Sequence, residues 1–114
     1  MGLLVMLMDR ERALRELGIS EKMLNELLDI FIEQAEQAVN SLEEISPGNH
    51  YEEIQKKAHF INGSSGNLRI DQIQEIAKAI EIGAIEKKDR RLIEENIKKL
   101  RTAFEALKKE TCNG

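Results

Sequence analysis

Histidine is the side chain best suited to chemistry at neutral pH. Its unperturbed pKa of about 6.5 leaves the imidazole largely neutral and nucleophilic. The chain has two, His50 and His59. His59 opens the run His59-Phe60-Ile61-Asn62-Gly63-Ser64-Ser65-Gly66-Asn67, in which two Gly, two Ser and two Asn crowd into a helical segment or onto its end. Each Gly costs about 1 kcal/mol relative to Ala inside a helix, so stability alone would not select them. On a helical wheel Ile54, Ala58, Ile61 and Ser65 share one face, which must be the core face, and His59 points away from it. Around His59 lie Gly63 and Gly66 toward the C-terminus, Asn62 beside them, and Glu52, Gln55 and Lys56 toward the N-terminus. The imidazole therefore stands where the next helical turn carries no side chain and a bulky partner can come close. By composition and spacing alone, a solvated histidine near a fraying helix end is the commoner explanation of such a run.

Other reactive residues assemble into less. His50 and His59 are nine apart and fall on opposite helix faces, so they do not pair as metal ligands. Cys112, the one cysteine, sits third from the C-terminus, which excludes an intramolecular disulfide and makes a nucleophile pair with His59 improbable. Glu43-Glu44 and Glu94-Glu95 read as solvated helix faces. Lys87-Lys88 and Arg90-Arg91 flank a turn, as a soluble loop or a docking patch. No Gly-rich nucleotide loop of Walker type and no kinase signature is present.

The elements that must position these residues are helices. The 114 residues suffice for one ordinary domain, here 1–114 with a core from about Asp9 to Lys109. Only 4% are aromatic and there is one Pro, against the needs of a β-sandwich, while Glu, Lys, Leu, Ile and Ala abound. Five segments show helical periodicity. The first runs from about Asp9 to Leu17 and stops at Gly18. The second follows an N-cap at Ser20 and carries Leu24, Leu28, Phe31, Ala35, Ala38, Leu42 and Ile45 at alternating spacings of four and three, a bundle seam. Ser46-Pro47-Gly48 breaks it. The third begins near Asn49, with Glu52 in capping-box register, and ends about Gly66. Asp71 caps a fourth with Ile73, Ile76, Ala77 and Ile80 inward. Asp89 caps a fifth striped by Leu92, Ile93, Ile97, Leu100, Phe104 and Leu107. The expected fold is all-α, an antiparallel four-helix bundle with a short additional N-terminal helix laid across one end.

The net charge of −4, with no clustered basic stripe, argues against nucleic acid as a partner. The apolar run Leu3 to Leu7 is too short to span a bilayer and lacks the flanks of a signal peptide. It reads as an extension of the first helix, a dimer contact, or sequence upstream of a start at Met8. Met1-Gly2 lacks the Ser or Thr at position six that myristoylation wants. A soluble, cytoplasmic monomer without a membrane partner is the expectation.

The run Ala58-His59-Phe60-Ile61-Asn62-Gly63-Ser64-Ser65-Gly66-Asn67-Leu68, followed by Ile76 to Glu81, resembles the signature of histidine-containing phosphotransfer (HPt) domains. The likeness reaches upstream to Phe31-Ile32-Glu33 and spans about Asp9 to Lys109. It implies a phosphorelay intermediate and not an enzyme with its own kinase or phosphatase activity. His59 matches the phospho-acceptor, which takes a phosphoryl group from a sensor histidine kinase or a receiver aspartate and passes it to a response-regulator receiver domain. Gly63 matches the residue that keeps the ring accessible. Glu81 matches the acid or amide that hydrogen-bonds the ring nitrogen left unphosphorylated. Two positions depart from the family pattern: Asn62 stands in place of a Lys, and Arg69-Ile70 in place of Gly and a small residue. Lys56 or Arg69 would then supply charge, with Asn62 and Lys56 holding the added phosphoryl group. No cofactor and no metal are expected on this chain, since the receiver would bring Mg²⁺. The alternative is an HPt-like adaptor that docks receivers or kinases without transfer.

Overall fold

Side-chain caps at Asp9, Ser20 and Asp89 open three of the helices, and the other two, which start without one, are where expectation and structure part. The structure, a computed structural model, describes residues 7–112. Most of the apolar run from Leu3 to Leu7, and the side chain of Cys112, lie outside the described residues. Helix α1 spans Arg10–Leu17, with the Asp9 carboxylate accepting from the Arg12 N–H and Gly18 at φ 65° closing it. Only glycine takes that left-handed conformation without steric cost. Helix α2 spans Glu21–Ile45, and the Ser20 hydroxyl accepts from the Met23 N–H at 3.1 Å. Its seam faces inward: Leu24, Leu28, Phe31, Ala35, Ala38, Val39 and Leu42 are buried.

Helix α3 spans Tyr51–Asn67 and does not start at Asn49. Ser46 keeps helical dihedrals and bonds Leu42, so α2 runs on into the turn. The turn then runs through Asn49, and His50 is the N-cap, which makes no side-chain cap bond. Helix α4 spans Asp71–Ile85, and here too the expected cap is displaced. Ile70 precedes the helix, and Asp71 is its first residue. The Asp71 carboxylate turns outward and accepts two bonds from the Arg12 guanidinium, each 2.8 Å. Helix α5 spans Arg90–Cys112, and the Asp89 carboxylate accepts from the Arg91 N–H at 2.9 Å. Its stripe is buried at Ile93, Ile97, Leu100, Ala103, Phe104 and Leu107, but Leu92 is 52% exposed. Ile93 takes the inward position against Gly83 of α4, which rotates Leu92 out to solvent.

Among the described residues there are five helices and no strand. Helices α2 to α5 form an antiparallel ring in which each packs on its sequence neighbours and α2 closes against α5. One end gathers the start of α2, the α3–α4 turn and the end of α5, and α1 lies over it. Arg10 reaches Asn25 of α2, Arg12 reaches Asp71 of α4, and Arg69 of the α3–α4 turn reaches Glu16 of α1 at 2.7 Å. At the opposite end Arg90 donates to the Pro47 carbonyl, tying the two turns there together. The α2–α5 seam carries a dense ion network. Arg101 donates to Glu36, Glu43, Glu105 and Asn40, and Lys108 bonds Glu36 at 2.7 Å.

Candidate functional site

The site sits on the outer face of the α3–α4 hairpin, midway between the two ends. Buried Ile54, Ala58, Ile61 and Ser65 fix the inward face of α3, with the Ser65 hydroxyl donating to the Ile61 carbonyl at 2.5 Å. His59 is carried opposite, and its side chain is 72% exposed. From α4, Ile73, Ala77 and Ile80 bury against the core, which swings Glu81 to the α3 side, where its side chain is 15% exposed. The antiparallel pairing then brings residues 22 apart in sequence into contact: His59 Nδ1 lies 2.8 Å from Glu81 Oε2. A carboxylate accepts and does not donate, so Nδ1 carries the proton and Nε2 is left as the free, basic nitrogen.

The second Glu81 oxygen is occupied as well. The Asn62 amide donates to Oε1 at 3.0 Å. His59 and Asn62 are three apart on α3 and so share a face, and one carboxylate on the neighbouring helix spans both. Above this trio the surface is open, because a Cβ added at Gly63 would meet nothing within 4 Å. Phe60 and Ile82, the chain neighbours of His59 and Glu81, are exposed at 40% and 39%. The site therefore offers an outward-facing imidazole whose Nδ1 is held by a carboxylate, with exposed apolar side chains next to it in the chain.

The remaining candidates differ in how they stand to His59. Gly66 does not clear space around the ring, since the Gln74 amide of α4 lies over it, 2.5 Å from where a Cβ would stand. Arg69 does not bring charge to the imidazole. It sits at φ 62°, closes α3, and spends its guanidinium on Glu16 and on the carbonyls of Gly66 and Asn67. Lys56 lies one turn before His59, 72% exposed, with its ammonium 3.5 Å from Glu52. It also lines an open groove of about 610 Å³ between α2 and α3, beside Lys57 and Phe60. Asn62, expected as a donor to an incoming group, is turned instead onto Glu81. The spacing of His59 and Asn62 carried the signal for this, but the facing carboxylate comes from another helix.

Among the described residues no three His, Cys, Asp or Glu side chains are grouped to hold a metal, and no helix is long and apolar enough to cross a membrane. An antiparallel helical bundle with His59 turned outward and held by a carboxylate from the next helix is the arrangement that the resemblance leads one to expect. Comparison with known families agrees: the family model described as Hpt domain matches residues 26–110. The chain belongs to the Hpt domain family, whose members take part in histidine phosphotransfer in two-component phosphorelays as phosphocarrier modules, working with receiver domains and kinases. No curated protein and no solved structure matched the chain.

Proposed function

We propose that this chain is a phosphorelay intermediate and that Nε2 of His59 is its phospho-acceptor. The reading is carried by one observation: the ring is exposed while its other nitrogen is held 2.8 Å from Glu81. In the forward step the Nε2 lone pair forms a bond to phosphorus as the phosphorus–oxygen bond of a receiver phospho-aspartate breaks. The aspartate leaves with the electron pair as a carboxylate. Because Nδ1 keeps its proton, the phosphorylated ring bears a positive charge, and Glu81 lies beside it to stabilise that charge as it develops. Transfer to the next receiver reverses these steps.

Phosphoryl transfer depends on positioning and charge neutralisation more than on covalent chemistry by the carrier. In this reading the receiver contributes Mg²⁺ and its acidic pocket, and this chain contributes a nucleophile in line with the phosphorus. The absence of a side chain at Gly63 lets the receiver surface approach. Lys56 is the cation nearest along the helix face to balance the added charge of roughly −1.5 to −2.

The test is transfer from a radiolabelled phospho-receiver to the wild type and to His59→Gln. Acid-labile, base-stable label on the wild type alone supports the carrier. If receivers bind both proteins equally and neither takes label, the chain is a docking adaptor.

A further inference from the structure

The position three residues after the acceptor histidine is the chain's clearest departure from its family pattern, since a neutral amide stands there. Its geometry gives it a different task from the phosphate contact first expected of it. Asn62 Nδ2 donates to Glu81 Oε1 at 3.0 Å while Glu81 Oε2 holds His59 Nδ1 at 2.8 Å. We propose that Asn62 is a positioning residue that acts through Glu81. Its amide pins the carboxylate in the rotamer that keeps the proton on Nδ1, and so keeps Nε2 free. This inference rests on the reading of His59 as the phospho-acceptor.

Three features lead there. Glu81 approaches from a different helix and is flexible about three side-chain torsions, so a single bond to an exposed ring leaves its orientation loosely set. A second bond from Asn62 fixes the carboxylate at both oxygens, as partners of a ligating carboxylate do in metal sites. The amide is also neutral. It orients Glu81 without cancelling the negative charge that the phosphorylated ring needs beside it, whereas an ammonium at position 62 would pair with that carboxylate.

The experiment reads the tautomer directly. Ring nitrogen shifts of His59 are measured by long-range ¹H–¹⁵N correlation in the ¹⁵N-labelled full chain, at a pH where the ring is neutral. The proteins compared are wild type, Asn62→Leu, Glu81→Ala and the double variant, with helicity by circular dichroism confirming that each is folded. Asn62→Ala serves if Asn62→Leu does not fold. The wild type is expected to hold mainly the Nδ1–H tautomer, and Asn62→Leu to shift it toward Nε2–H. Glu81→Ala should shift it at least as far, and adding Asn62→Leu to Glu81→Ala should change nothing further, because the two act as one unit. Phosphoryl acceptance should fall about fivefold in Asn62→Leu, the loss of one hydrogen bond from the relay. A tautomer ratio unmoved by Asn62→Leu overturns the proposal, and so does an Asn62 effect of equal size without Glu81. A wild type that takes no label refutes the carrier reading instead, and the tautomer series still decides the role of Asn62.

Discussion

Along the α2–α5 seam Arg101 meets three carboxylates and an amide, all within 2.9 Å, and Lys108 bridges two of the same acids. Along the α3–α4 seam one carboxylate, Glu81, meets a histidine and an amide. The first cluster closes on itself. Its two cations balance all but one of its three carboxylates, and hydrogen bonds from Lys108 and Arg101 to Glu36, and from Arg101 to Glu43 and Glu105, hold these carboxyls below their usual range. The second cluster is left incomplete, with an unused nitrogen facing solvent and an empty position one turn on. Two seams of one bundle, built from similar helices, thus divide the work. One consumes its polar groups to hold helices together, and the other leaves one turned to solvent.

The sharpest way to break this contrast is His59→Gln. It should abolish phosphoryl acceptance and leave the melting temperature unchanged, since the ring is exposed; a large loss of stability would place His59 with the structural seam. Next is Gly63→Gln, which fills the open turn. Transfer should drop about tenfold or more, the equivalent of roughly 1.4 kcal/mol of lost approach. The helix should gain up to about 1 kcal/mol from losing a glycine, so thermal melting and transfer assays should move in opposite directions.

Arg101→Met is the mirror experiment. It should cost about 1–2 kcal/mol in denaturant unfolding with no effect on transfer, because three carboxylates lose a shared partner. Since folding lowers the pKa of Glu36, Glu43 and Glu105, their contribution is present above the ordinary glutamate value of about 4.3 and fades as pH falls through the folded values. Melting curves against pH should therefore show less acid loss in the variant than in the wild type. A smaller effect is expected at Lys87, which takes φ 52° where α4 closes. Lys87→Gly should stabilise by about 0.5–1 kcal/mol, read as a Tm rise of a few degrees. Arg69→Gly should gain far less, because the arginine offsets the same strain with its bonds to Glu16, Gly66 and Asn67.

What the sequence made legible was whatever a single helix decides alone. Gly18 and Ser20 bound their helices because a left-handed stop and a side-chain cap act within about one helical turn. The seam of α2 and the outward direction of His59 follow from helical period alone. What two helices decide together was hidden. Asp71 looks like a cap until Arg12, 59 residues away, claims its carboxylate. Leu92 looks like a core residue until Ile93 takes the place against Gly83. Arg101 shows nothing in sequence, since its partners on α2 lie 58 to 65 residues off. Glu81 is reachable only because the family pattern names a residue there, and that pattern says nothing of an asparagine holding it.

One feature of the closed end bears on how the molecule opens. Helix α1 buries Ala13 fully and packs Leu14 and Leu17 against the core, and it is fastened by Arg10 to Asn25, by Arg12 to Asp71 and by Glu16 to Arg69, polar contacts whose side chains stand partly in water. Such contacts weaken when salt screens them over about 10 Å. Backbone amides of α1 should then exchange with deuterium by detaching as a unit while those of α2 to α5 stay protected, and at a rate that climbs with ionic strength. On that expectation the cover over that end of the bundle is a clasp, loosened by electrolyte ahead of the helices it covers.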